Sequence, residues 1–115
     1  MNVYDRGHEL ARALKESNEY KNFLAAKKVV DSEPETKKMV KEFLAKQMEI
    51  EYETMAGKRD QAKVEQLQKM YELLAYNTKA RDFLDNYMRF QRMMADVYKI
   101  LGDSVAEGMD FIVKE

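Results

Sequence analysis

Apolar residues recur along this chain at spacings of three and four, and no stretch alternates polar and apolar for long. That period belongs to one face of an α-helix, not to a strand. Tyr4, Leu10, Ala11 and Leu14 mark a first helix over residues 3–16. Ser17 can cap a second, over 18–31, by accepting a bond from an orphan N–H; this helix carries Tyr20, Phe23, Leu24, Lys27 and Val30. Ser32-Glu33-Pro34-Glu35 reads as a start signal. Serine takes the N-cap, glutamate follows three residues later, and proline sits in the first turn, where no N–H is needed. A third helix is therefore expected over 33–55, with Val40, Phe43, Leu44, Gln47, Ile50 or Glu51, Tyr52 and Met55 on its apolar face.

Gly57 suits the left-handed position that ends a helix, and Asp60 suits the cap that starts the next. A fourth helix over 61–76 carries Val64, Leu67, Met70, Tyr71 and Leu74. Asn77 either restarts the chain as a fifth helix or sits inside a continuous one, and a restart or kink is the favoured reading. A fifth helix over 78–101 carries Ala80, Phe83, Leu84, Tyr87, Gln91, Met94, Val97 or Tyr98, and Leu101. Gly102 and Gly108 leave only a weak amphipathic tail over 103–113, with Val105, Met109, Ile112 and Val113. Glu42 and Lys46, Glu65 and Lys69, and Asp85 and Arg89 form i,i+4 pairs in the favourable order on outward faces.

Composition sharpens this. One proline and four glycines in 115 residues leave few breakers. The expectation is an all-α fold: one helical domain over 1–115, a bundle of two short N-terminal helices and long central helices, completed by oligomerisation. Leu, Ile, Val and Phe total 25 residues, which is thin for a core. The absence of cysteine excludes disulfide scaffolds, cysteine nucleophiles and thiolate metal sites. One histidine cannot build a multi-histidine centre. The opening Met1-Asn2-Val3-Tyr4-Asp5 has neither basic nor apolar signal character, which predicts a cytoplasmic protein. No run approaches the length of a membrane span.

Candidate chemistry is sparse. His8-Glu9 begins a zinc-helix pattern, but Arg12 stands where the second histidine belongs. Glu49, Glu51 and Glu53 alternate around their helix and read as a solvated face. Ser17, Ser32 and Ser104 have no recognisable triad partners. No catalytic, cofactor or metal residue is expected, and no enzymatic activity. Lys37, Lys38, Lys41, Lys58 and Arg59 are candidate phosphate contacts, but interspersed acids and a formal charge of -1 make nucleic acid the lesser alternative.

The unusual feature is a content of nine methionines and seven tyrosines, with Met88, Phe90, Met93 and Met94 crowding one stretch of the fifth helix between Tyr87 and Tyr98. Tyr87, Phe90, Met93, Met94, Tyr98 and Leu101 are the candidate oligomer or partner surface. Flexible Met side chains adapt to partner surfaces. The short N-terminal helices cannot cover two long helices along their whole length, and a second copy packed as a two-fold bundle is the simplest cover. Gln47 and Gln91 fall among apolar neighbours, where a polar residue can set register.

Three stretches, Gln47 to Lys58, Asn77 to Leu84, and Arg89-Phe90-Gln91-Arg92-Met93-Met94-Ala95-Asp96-Val97 with Ile100-Leu101-Gly102, resemble the YlbF/YmcA-like family of small helical bacterial proteins. Val3-Tyr4-Asp5 with Glu9 to Ser17 follows the same pattern. The resemblance spans nearly the whole chain and rests on the order and spacing of these motifs. It implies an all-helical cytoplasmic protein with long central helices. Some members of the family act as regulatory partners in competence, sporulation and biofilm development, within a complex linked to endoribonuclease-dependent RNA processing. Many others, among them the subgroup this chain is most like, have no assigned activity. Members of that complex are associated with iron–sulfur clusters held by cysteines. This chain has no cysteine, so neither cluster nor complex membership carries over.

The expected function is therefore a non-enzymatic helical interaction module, a cytoplasmic regulator or adaptor that binds itself, as a dimer, and another protein. The alternative is a nucleic-acid-associated accessory protein in RNA processing.

Overall fold

The computed structural model describes residues 2–112. These residues are 85% helical with no strand. Six helices follow in order: α1 (Val3–Lys15), α2 (Asn18–Asp31), α3 (Pro34–Met55), α4 (Gln61–Leu74), α5 (Thr78–Ser104) and the single turn α6 (Ala106–Met109). Val113, expected in the tail, lies outside the described residues.

Local chemistry explains most of the boundaries. Asn2 caps α1, accepting from the Tyr4 N–H at 2.8 Å. The Ser17 hydroxyl accepts from the Tyr20 N–H at 3.2 Å and starts α2. Gly57, at φ 84, ends α3, where the Lys58 N–H reaches the Glu53 carbonyl at 2.8 Å and the Gly57 N–H reaches Thr54 at 3.0 Å. These two bonds satisfy orphan carbonyls in the Schellman pattern. Asp60 caps α4 through the Ala62 N–H at 3.0 Å.

Two expectations shift. Ser32 is not the cap of α3. It closes α2, its hydroxyl donating to the Val29 carbonyl at 2.7 Å. Proline disfavours helical geometry in the residue before it. Pro34 therefore holds Glu33 extended (φ -128, ψ 96), and Glu33 becomes the N-cap, with no side-chain bond. At the other end, α5 runs through Gly102 to Ser104, three residues past the expected stop. One internal glycine costs about 1 kcal/mol, too little to break a long helix. None of the three expected i,i+4 pairs closes among the described residues; Lys46 turns to Glu49 at 3.6 Å instead.

Four helix ends meet at one corner. Val30 from the end of α2, Val40 and Phe43 from α3, Leu74 from the end of α4, and Ala80, Phe83 and Leu84 from the start of α5 are buried together with Ala26. Asn77 pins this corner. Its side-chain oxygen accepts from the Ala80 N–H at 3.1 Å, and its amide donates to the buried Thr36 hydroxyl at 3.0 Å. The expected restart at Asn77 is thus a cap that also ties α5 to α3. The turn before it tightens, with Asn77 N–H bonded to the Leu74 carbonyl at 2.9 Å, so α4 stops two residues early.

From this corner the helices spread in nearly one layer. The Cα extents are 49 × 37 × 15 Å and the radius of gyration is 17.7 Å. A compact chain of this length has about 13 Å. α2 lies along α5, while α3 packs against α4, α5 and α2. α1 buries no residue, and Tyr4 on its expected apolar face is exposed. Tyr52 and Met55, expected on the covered face of α3, are exposed as well. They stand beyond the reach of the shared corner.

Candidate interaction surface

α5 carries two apolar rows about 100° apart around its axis. The first is Ala80, Phe83, Tyr87, Phe90, Met94, Val97 and Leu101, alternating steps of three and four. Its early half packs on α2. Phe23 stacks on Phe90 at 5.4 Å and meets Phe83 at 5.4 Å and Tyr87 at 5.5 Å. Tyr20 meets Phe90 at 5.3 Å. Aromatic pairs of this kind add to the gain from burial alone.

The second row is Leu84, Met88, Gln91, Ala95, Tyr98 and Gly102; the helix ends at Ser104, and Val105 (φ -121, ψ 15) caps it rather than extending the row. It begins in the core at Leu84 and leaves it at once: Met88 and Tyr98 are 57% and 68% exposed. Beside it, α3 and α5 flank an open groove of about 610 Å³. Leu44, Gln47, Met48 and Glu51 line one wall. Tyr87, Met88, Gln91, Arg92 and Ala95 line the other. The Gln91 amide donates to the Tyr87 hydroxyl at 2.6 Å. Both glutamines expected among apolar neighbours therefore face this groove, one from each wall.

The six residues expected as a partner surface divide along α5. Tyr87 and Phe90 give their rings to α2. Met93 and Met94 are half-buried, and Tyr98 and Leu101 are exposed. In the second row, Met88 belongs to the methionine-rich stretch seen in the sequence, whereas Ala95 did not stand out by residue type. The signal for the row was the alternation of four and three, which continues past the point where the helix loses its cover. A further exposed apolar group, Leu73 and Tyr76, lies at the end of α4 beside Tyr71.

The basic candidates are not brought together. Lys37 is engaged by Asp31 at 3.2 Å. Lys38 and Lys41 are exposed early in α3, whereas Lys58 and Arg59 lie in the turn beyond its far end. The two groups are about 25 Å apart along the helix axis.

The perturbed titratable groups lie outside the groove, in ion pairs that are exposed or half-buried. Lys63 of α4 donates to Glu53 at 2.6 Å and to Glu49 at 2.7 Å on α3. The bonds to Glu49 and then Glu53 hold its ammonium well above the usual lysine range. The bond from Lys63 in turn lowers Glu49. Asp31 is lowered by its bonds from Lys27 and Lys37. Lys79 and Glu33 pair across the α2–α3 connection and the start of α5. Among the described residues no group of three or more His, Cys, Asp or Glu could hold a metal ion, and no helix is long and apolar enough to cross a membrane.

Comparison with known proteins bears on this surface. The family described as "Control of competence regulator ComK, YlbF/YmcA" matches residues 3–106, from the start of α1 to the start of α6. A UPF0342 protein of Symbiobacterium thermophilum is 39% identical over 110 residues, covering 95% of this chain and 98% of the relative. One from Caldicellulosiruptor saccharolyticus is 38% identical, covering 90% of this chain and 88% of its own. Another, from Clostridium novyi, is 34% identical with 97% of each covered. The match takes in the whole of α5 and the four-helix corner, and the chain belongs to the YlbF/YmcA family.

Proposed function

We propose that this chain is a non-enzymatic protein–protein interaction module of regulatory character, working in the cytoplasm as a homo-oligomer, with a dimer as its simplest closed form. The regulatory part is supported by the family's description as control of a competence regulator. The interaction part rests on one observation: α5 continues its apolar pattern well beyond the helix that covers it. The accessible surface reflects this. It is 9376 Å², against about 6,600 Å² for a compact protein of this mass. Large exposed apolar patches on small proteins mark interaction sites.

Sedimentation equilibrium at micromolar concentration tests the reading. The expected mass is a multiple of 13.6 kDa, with two copies the first candidate. A single-copy mass across that range would overturn it. A salt series with single-stranded RNA separates the nucleic-acid alternative. Binding that weakens steeply with salt would report phosphate contacts and replace the reading.

A further inference from the structure

We propose that two copies pair antiparallel along the second row of α5, each laying the Tyr98–Ser104 end of its helix into the other's α3/α5 groove. The proposal rests on the homo-oligomer reading and names its geometry. Four observations carry it.

The row itself comes first. Leu84, Met88, Gln91, Ala95, Tyr98 and Gly102 keep an alternation of four and three to the end of α5. That is the repeat of a helix built to lie along another helix. Within the chain only its first residue is buried.

Second, the two halves of this row are unlike and fit one another. The early half forms one wall of a groove, and the late half, Tyr98 and Gly102, is exposed. An isologous two-fold contact pairs exposed end with groove twice. The midpoint between the exposed Met88 and Gly102 is Ala95. With the axis there, Gly102 of one copy faces Met88 of the other, and the smallest side chains stand where the helices approach most closely. A Cβ at Gly102 would meet nothing within 4 Å of its own chain.

Third, charge sets the direction. Residues 78–92 carry four basic and two acidic side chains; residues 96–110 carry four acidic and one basic. Antiparallel pairing sets the acidic end against the basic one, whereas parallel pairing stacks like on like.

Fourth, the area suffices. The accessible surface exceeds that of a compact chain by about 2,800 Å², and a stable dimer buries about 800 Å² per partner.

The chain has no cysteine, so introduced thiols report only the designed contacts. Three variants are needed: Ala95→Cys, Gly102→Cys, and Met88→Cys with Gly102→Cys. Each is oxidised at micromolar concentration, run on a non-reducing gel, and checked for unchanged helix content by circular dichroism. Ala95→Cys should form a covalent dimer across the axis. Gly102→Cys alone should not, because its copies stand about 21 Å apart. The double variant should cross-link between chains. Its two sites are also about 21 Å apart within one chain, beyond the reach of a disulfide. Cross-linking by Gly102→Cys alone at the level of Ala95→Cys would mean a parallel pair and overturn the proposal. So would a dimeric mass without an Ala95→Cys cross-link, which would leave the homo-oligomer reading standing. A monomeric mass for the unmodified chain would end both.

Discussion

The two halves of α5 share one sequence grammar and live in opposite environments. From Thr78 to Phe90 the helix lies under α2 and buries Ala80, Phe83, Leu84 and Asn86. From Met93 to Ser104 no residue is buried, although the three-and-four spacing continues. Length is the reason. α5 has 27 residues and α2 has 14, so about 40 Å of helix meets about 21 Å of cover. An amphipathic pattern states which face wants burial; it does not say whether the same chain can supply the partner.

The largest effect should come from the covered half. Phe83 is 7% exposed and meets Phe23 and Tyr87. Phe83→Ala should cost about 3–5 kcal/mol in chemical denaturation. That is a large share of what a domain this size has to lose. A loss under about 1 kcal/mol would mean the four-helix corner is not the core.

Charges in the exposed half should act on assembly instead. Tyr98→Glu should weaken self-association by about 2 kcal/mol or more, as for a central interface anchor, while helix content and the single-chain melting transition stay in place. Met94 is half-buried. Met94→Glu should break the oligomer or unfold the chain, because it sets an unpaired charge among apolar groups. Lys69→Glu, on an exposed position of α4, should do neither. Sedimentation velocity with circular dichroism on all three separates the two halves directly. Equal unfolding by Tyr98→Glu and Phe83→Ala would erase the contrast.

Smaller effects test the ends of the covering helix. Ser17 caps α2 and Ser32 closes it with a bond from its own hydroxyl. Ser17→Ala should cost about 1 kcal/mol. Ser32→Ala should stay within about 0.5 kcal/mol, since the Val29 carbonyl remains bonded to the Ser32 N–H. Thermal melts of the pair would show the order, and a reversal would restore Ser32 as the cap of α3.

The smallest effect is acid sensitivity. Asp31, at the end of α2, is held below its ordinary pKa of 3.8 by its bonds from Lys27 and Lys37. A lowered folded pKa contributes stability that is complete above the ordinary value and fades as pH falls through the folded one. Acidification below about pH 4 should therefore loosen α2 from α3, and Glu49, lowered by Lys63, should loosen α3 from α4 over the same range. The pairs are exposed, so the change should be small. Amide exchange at pH 3 and pH 6 should show α2 opening first, and Asp31→Asn should remove its share of that pH dependence.

Much of the molecule could be read without coordinates because its determinants are local. Asn77, Asp60, Gly57 and Ser17 each act within a few residues, through a cap or a left-handed turn, and the spacing of apolar residues sets each helix face. The misread cap was also a local matter. At Ser32 two rules competed, and the backbone restriction from Pro34 outweighed the serine-to-glutamate spacing. The interaction surface was legible only in part. Tyr98 and Leu101 were recognisable as exposed apolar residues, but Tyr87 and Phe90 proved to be partners of α2.

What the sequence determined by itself was therefore the set of helices, most of their ends and the face each one needs to bury, all consequences of hydrogen bonds and side-chain spacing along a single helix. Only the tertiary structure decided which faces find cover. The convergence of four helix ends on one corner, α4 lying on α3, the layer only 15 Å thick and the groove between α3 and α5 all depend on the directions in which the helices leave that corner. Those directions come from contacts between residues far apart in the chain. Thr36 with Asn77 and Phe23 with Phe83 are two such pairs, and no local pattern along the sequence records them.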